Sequence, residues 1–402
     1  MSIFHKIIQA VQDAAYIWRQ ELRQVLRDEG VLMFCIIVPL IYPLLYSWVY
    51  NNETVREVPV VVVDMSHSHQ SRQFIRMCDA SPDVKVISHA TDLDEAKSLV
   101  SRQVAKGIYY IPEDFSTKLH RMEQATVSVY CDMALMLTYK AIYQTAMAVS
   151  TEMGAEMQVA LAGNYTDRED VITVSPLEVE EVSLFNPQGG YGSSVLPAVL
   201  MLIIQQTLAL GIGLAAGTAR ESNPDGDLVP LHPAYSGIYR IVCGKALCYL
   251  MVYAVMGTYL VTAVPKMFSF IQIASWQSLL ALMVPYLLAC VFFGLTVSCM
   301  VRYRENVILL MVFISLPLLF MTGVSWPQSN IPGAWQGVSW LFPSTFGVRA
   351  YLRLNTMGGS LGDVTTELRC LWTQAAFYFG MACLVYGHQL RETRRHSETS
   401  NK

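Results

Sequence analysis

"VLMFCIIVPLIYPLLYSWVYNNETVREVPVVVVDMS", residues 31–66, sets twenty uncharged residues shortly before four consecutive valines, Val60 to Val63, which run into an acidic turn at Asp64. About 20 apolar residues rising 1.5 Å each cross a hydrocarbon core of about 30 Å, so 31–50 reads as a membrane-crossing helix. A short valine run bounded by turn residues reads as a strand of an α/β domain. The chain is thus either an enzyme tethered to a membrane or a membrane machine that carries a folded domain.

Composition favours the second. The 402 residues are 53% hydrophobic and 15% charged, whereas soluble proteins carry about 25% charged residues. A net charge of -4 with no basic domain speaks against a nucleic-acid partner. Six runs are long and apolar enough to span, at 31–50, 193–217, 246–264, 278–301, 307–324 and 370–389. Their prolines are tolerable in lipid, where neighbouring helices re-satisfy the freed carbonyls. The first run is too long for a signal-peptide core and is expected to stay as an anchor.

Orientation follows from Lys and Arg near the spans. With both termini inside, the short inner segments hold Lys6, Arg19, Arg23, Arg27, Arg220, Arg240, Lys245, Arg302, Arg304 and the basic tail, against only Lys266, Arg349, Arg353 and Arg369 outside. Residues 51–192 then form an extracytoplasmic domain, 218–245 a cytoplasmic loop, 325–369 an external segment and 390–402 a cytoplasmic tail. Residues 1–30 read as an amphipathic helix in the cytoplasmic interface, with Ile7, Val11, Ala14, Trp18, Leu22 and Val25 on its apolar stripe. The fold expected is an α-helical polytopic membrane protein with six transmembrane helices and an α/β domain inserted between helices 1 and 2.

Within 51–192, strand signals at 58–64, 84–87, 107–111 and 126–130 alternate with helical ones at 68–79 and 92–103. A long Ala- and Met-rich helix from Met133 to about Leu161 follows, and "VITVSPLEVEEVSLFNP", 171–187, reads as extended chain returning to the membrane. His67 and His69 beside Asp64 have the residue types of a zinc site, but a Ser-His-Ser-His run between strand and helix more simply supplies a turn and a cap. No Gly-x-Ser-x-Gly elbow supports a hydrolase triad there. Seven of the nine cysteines fall in or beside apolar segments, which leaves Cys78 and Cys131 as the one pair to which a bridge is open. Inside the spans, Gln205 and Gln206 are the clearest polar groups, read either as translocation-pathway residues or as interhelical hydrogen-bonding groups. Gly211, Gly213 and Gly217 allow close helix approach. No Asp, Glu, Lys or Arg lies deep in these runs, which argues against a proton- or sodium-driven carrier.

The whole arrangement resembles the type-2 ABC-transporter permeases, in the subgroup with a large domain between the first two spans. The resemblance rests on "VPVVVVDMS" (58–66), "SRQF" (71–74), "EAKSLVSRQVAKGIYYIPEDFS" (95–116), "VSVYCD" (127–132), "LFNP" (184–187), "SVLPAVL" (194–200) and "NIPGAWQGVSWLFPSTFGVRAYL" (330–352). In the last of these, Pro332 and Pro343, Ser344 and Thr345 match a proline-marked external re-entrant gate. "TARESNPDGDLVPLHPAYSGIYRIVCGKAL" (218–247) keeps the family's Arg220, Glu221, Gly226, Leu228, Leu231, Pro233, Gly244 and Lys245 with altered internal spacing.

The resemblance implies an exporter subunit that pairs as a dimer and couples to a separate cytoplasmic ABC ATPase, which binds ATP and magnesium. This chain has no P-loop of its own: "GIYRIVCGKA" sets its glycines seven apart and ends in Ala246 where a hydroxyl is required. It is therefore read as non-catalytic, with no cofactor. Arg220, Glu221, Gly226, Leu228, Leu231, Pro233 and Lys245 become the expected ATPase-coupling element, and a hydrophobic or amphipathic compound (drug-like, lipid or peptide) the expected cargo. A second permease copy or a related permease, the lipid bilayer and a periplasmic adaptor are the further partners implied, in a bacterial inner membrane. The competing reading is a membrane receptor that binds ligand through 51–192, although no cytoplasmic segment is long enough to serve as an output domain.

Overall fold

The computed structural model describes residues 3–50, 55–163, 165–175, 184–185, 190–223, 226–230, 232–235 and 237–400. It divides into two units, Met1–Asn51 with Ser183–Lys402, and Asn52–Val182.

In the first unit, Glu29–Val49, Gly192–Ser222, Ile238–Met267, Trp276–Met300, Arg304–Met321 and Thr365–Arg395 are long and apolar enough to cross a membrane. We call them the first to sixth spans. The second, third and sixth outrun the apolar stretches read from sequence. Their charged ends stay helical because they find partners there, so Arg220, Glu221, Arg240 and Lys245 lie on helices and the loop between the second and third spans is shorter than 218–245. The first and third spans widen into π turns at Met33–Ile37 and Tyr259–Ala263, just ahead of Pro39 and Pro265. Proline lacks an N–H and crowds the carbonyl four residues back, and a wider turn relieves that contact. The carbonyl so freed by Pro265, that of Val261, accepts the Gln272 side-chain amide at 2.8 Å.

Glycines set the closest approaches on the second span. A Cβ on Gly211 would collide with the Cys35 sulfur of the first span, and one on Gly213 with Val307 of the fifth. The close approach expected of these positions is met.

The N-terminal helix runs Ile3–Arg27. Among its described side chains Ile17, Glu21 and Val25 are buried, Trp18 and Leu22 of the expected stripe pack against the core, and Val11 is 63% exposed. The helix packs on the third span, with the Ala14 carbonyl and Ile17 against Gly244, where no side chain intervenes. The segment between the fifth and sixth spans contains two short helices, Gly333–Ser339, with Pro332 at its N-cap, and Pro343–Tyr351, with Pro343 at the first position. Proline is pre-organised for a helix start. Pro343, Ser344, Thr345 and Phe346 are all buried.

The second unit is a four-stranded sheet with strand order β2-β1-β3-β4. Its strands are β1 (Val58–Asp64), β2 (Val84–His89), β3 (Gly107–Ile111) and β4 (Ser128–Cys131). Strand β1 runs parallel to β2 and β3, and β4 antiparallel to β3. Helices α1 (His69–Ala80), α2 (Leu93–Ser101), α3 (Phe115–His120), α4 (Met136–Ala162) and α5 (Asp167–Val174) complete it. The valine run is explained by a sheet covered on both faces. Val58, Val60 and Val62 pack with Phe74, Tyr109 and Ile142 on one side, and Val61 and Val63 with Ala96 and Ile108 on the other.

The Asp64 turn is a capping device. One Asp64 oxygen accepts the Ser66 and His67 N–H groups at 3.0 Å each, the other accepts the Ser71 hydroxyl at 2.7 Å, and Ser68 caps α1 in a capping box with Ser71. One expectation is corrected. Val171 to Val174 are the last turn of α5, a helix capped by Thr166 with Asp167, Glu169 and Asp170 in its first turn, where acids favour helix over extended chain; 176–183 and 186–189 lie outside the described residues. Cys78 and Cys131 are free thiols. Burial pushes them up to about 12 and about 11 respectively.

Candidate functional site

Three ion pairs of the first unit gather where the N-terminal helix meets the start of the first, third and fifth spans and the end of the second, fourth and sixth. Asp28 stands at the centre. It caps the first span by accepting the N–H groups of Gly30 at 3.0 Å and Val31 at 3.2 Å. The same carboxylate accepts the Thr218 hydroxyl of the second span at 2.6 Å and Arg304 Nη2 of the fifth at 2.8 Å. Burial alone would push this carboxyl up, but the Thr218 hydroxyl, the Val31 N–H and the Arg304 guanidinium together hold it below its ordinary value.

Two further acids of the N-terminal helix pair with the third span. Asp13 forms an ion pair with Arg240. Glu21 forms one with Lys245, and its second oxygen accepts the Tyr249 hydroxyl at 3.2 Å. The Glu21 and Lys245 side chains are 4% and 7% exposed, so each depends on the other to offset lost hydration. Lys245 therefore lies buried on the third span and not in the loop before it. Arg220 likewise turns inward, donating to the Cys299 carbonyl at 2.8 Å and to Gln389 Oε1 at 3.3 Å. Glu221 beside it is exposed and accepts the Arg304 backbone N–H at 3.4 Å.

The loop after the second span folds back on this cluster. Gly226 holds φ +70°, a left-handed turn that favours glycine. Leu228 is buried, Pro233 opens the short helix Pro233–Tyr235, and His232 stacks on Tyr16 of the N-terminal helix with ring centroids 4.7 Å apart. Leu231 lies outside the described residues. A cleft of about 490 Å³ is left between this loop, the N-terminal helix and the end of the second span, with Arg23, Arg27, Ser222, Asn223 and Pro230 among its walls.

The two pathway candidates part company. Gln205 is 2% exposed and its Oε1 accepts the Ser344 N–H at 2.6 Å, so it caps the second of the two short helices. Thr345 donates its hydroxyl to the Ser339 carbonyl at 2.7 Å and so ties that helix to its predecessor. The structure thus joins Gln205 to Ser344 and its neighbours, while Pro332 stands apart on the first short helix. Gln206 instead lines a groove of about 380 Å³ between the first, second and fifth spans, with Tyr42, Tyr46, Leu202, Ile203 and Ser315.

Asp13, Glu21, Asp28 and Thr218 were not singled out from sequence. A usable signal was present: Asp13 and Glu21 lie eight apart, on one helix face with Ile17 between them, and Asp28 sits just before an apolar run in N-cap position.

Residues 30–384 match the sequence model of the ABC-2 family transporter protein. The chain is similar to the probable multidrug ABC transporter permease YbhR of Escherichia coli K12, at 23% identity over 330 residues that cover 81% of this chain and 84% of that one. The corresponding permease of Escherichia coli O157:H7 matches with the same identity and coverage. The chain is a multi-pass membrane protein of the ABC-2 family, a type-2 ABC-transporter permease.

Proposed function

We propose that this chain is the membrane subunit of an ATP-driven exporter, paired with a second permease and driven by a separate ABC ATPase that binds ATP and magnesium. The observation that carries this reading is the cluster of linked charges around Asp28 beside an open cleft, in a chain of this family. The N-terminal helix and the ends of the first, second, third and fifth spans are joined there by ion pairs and hydrogen bonds, and the loop after the second span stacks His232 on Tyr16. A push on the cleft from an ATPase would move these helices together. Arg23, Arg27 and Glu221 are the exposed charges suited to contact it, with Gly226, Leu228 and Pro233 shaping the loop. Arg220 and Lys245 hold the helices that transmit the motion.

The excess of Lys and Arg at this end supports a cytoplasmic placement, both termini inside, and the sheet unit outside a bacterial inner membrane. The relatives' multidrug designation and the groove at Gln206 support hydrophobic or amphipathic cargo, with the short helices from Pro332 and Pro343 to Thr345 as the outer gate. The test is co-purification of a Walker-motif ATPase with the permease, and its vanadate-sensitive hydrolysis. Arg23→Glu with Arg27→Glu is expected to abolish association while the permease stays folded. Undiminished association and transport in that variant would sink the docking assignment.

A further inference from the structure

The sheet unit has a cleft of its own, of about 400 Å³, walled by α1, the end of α3 and the second half of α4. Helix α4 has 27 residues, but those it buries end at Met153. Beyond that point it stands as a wall facing His69 and Gln73 of α1, and carries Glu156 and Met157 into the cleft. Met122 closes the rim from the turn after α3. It is 72% exposed and holds φ +56°, a left-handed backbone uncommon for any residue but glycine.

Two features define what such a cleft takes. Met122, Met153 and Met157 give it a polarisable wall of unbranched thioethers, which adapts to apolar bodies of varied shape. Glu156 is the one carboxylate among the lining residues, and neither lysine nor arginine lines the cleft. Gln73 donates to Glu156 Oε2 at 3.0 Å and orients the carboxylate. Two of the remaining polar groups, His120 and Gln70, are held by their neighbours. His120 Nδ1 donates to the Ser116 carbonyl at 2.7 Å, and its Nε2 lies 3.4 Å from the side-chain nitrogen of Gln70, whose own Oε1 takes the Ser116 hydroxyl at 3.1 Å. An apolar cleft of a few hundred Å³ with few convergent polar groups has the dimensions of a small-molecule site.

We propose that this cleft binds lipophilic organic cations, with the methionines holding the apolar body and Glu156 the charge. The assignment of these cations as cargo rests on the exporter reading. The experiment uses the full-length permease in nanodiscs with ¹³C-methyl methionine, peaks being assigned with Met122→Leu and Met157→Leu. The probes are tetraphenylphosphonium and its anionic counterpart of equal shape, tetraphenylborate. Saturable shifts of the Met122 and Met157 methyl signals are expected with the cation only. Glu156→Gln should weaken them about fivefold, as the loss of an exposed charge pair does, and Glu156→Lys more than tenfold. No saturable shift, an equal response to the borate, an unchanged Glu156→Lys variant, or shifts that follow protein concentration instead of probe would overturn the proposal. Co-purification of the ATPase on the same preparations separates the two readings. Cation binding without an ATPase sinks the exporter and leaves the cleft, and an ATPase complex without cation binding does the reverse.

Discussion

The Glu21–Lys245 pair offers the sharpest test of the structure, because its energetics reverse sign between single and double substitutions. Both side chains are more than nine-tenths buried, and Tyr249 gives Glu21 its only other hydrogen bond among the described residues. Lys245→Met leaves a carboxylate buried with one neutral donor, and removal of one partner of a buried pair costs about 3–5 kcal/mol. Glu21→Leu strands the ammonium and should cost a similar amount. The double variant removes both desolvation penalties and fills the site with apolar groups, so it is expected within about 1 kcal/mol of the parent. The coupling energy of the cycle is then several kcal/mol, well above the error of additive sites. Equilibrium unfolding by SDS in mixed micelles, followed by tryptophan fluorescence, measures all four proteins. A Lys245→Met variant within about 0.5 kcal/mol of the parent, or losses that simply add in the double variant, would refute the packing of the N-terminal helix on the third span.

Other consequences follow from single contacts. The Asp28 carboxyl is held below its unfolded value of about 3.9, so it stabilises the fold above that pH and loses the effect as pH falls through its folded value; the stability difference between parent and Asp28→Asn should be level from pH 8 to about pH 5 and shrink below about pH 4. Gly211→Ala drives a methyl into the Cys35 sulfur and should cost about 1–3 kcal/mol, at least half of it regained when Cys35→Ala is added; no regain would mean that the first and second spans do not meet there. Gln205→Leu leaves the Ser344 N–H unpartnered and should cost about 1–3 kcal/mol in unfolding. Gln206→Leu should leave stability unchanged and alter transport of polar-headed cargo, and a reversed pattern would exchange their roles.

Much of this protein was legible along the chain. The six spans were marked by length and apolarity, because a bilayer imposes its thickness on every helix that crosses it. Strand β1 was readable from Val58 to Asp64, since its valines needed cover on both faces, and the turn at Asp64 from the short polar side chains that cap helices. Local rules sufficed for these elements, because each answers to its own residues and to the solvent.

Pairing decided the remainder. The second and third spans continue as helix through Arg220 and Lys245 because partners from the N-terminal helix and the fourth and sixth spans receive their charges, and those partners lie far away in sequence. Glu21 reads as an ordinary polar-face residue until Lys245 is set against it. Gln205 and Gln206 are chemically identical neighbours, yet one caps a helix 139 positions away and the other faces an open groove. Adjacent helical residues point about 100° apart, and only the packing of other helices determines what each direction meets. Sequence by itself determined which segments cross the membrane and which form the sheet; tertiary structure decided which charges hold helices together and which stay free to meet a partner, because the cost of burying a charge depends on what lies opposite it.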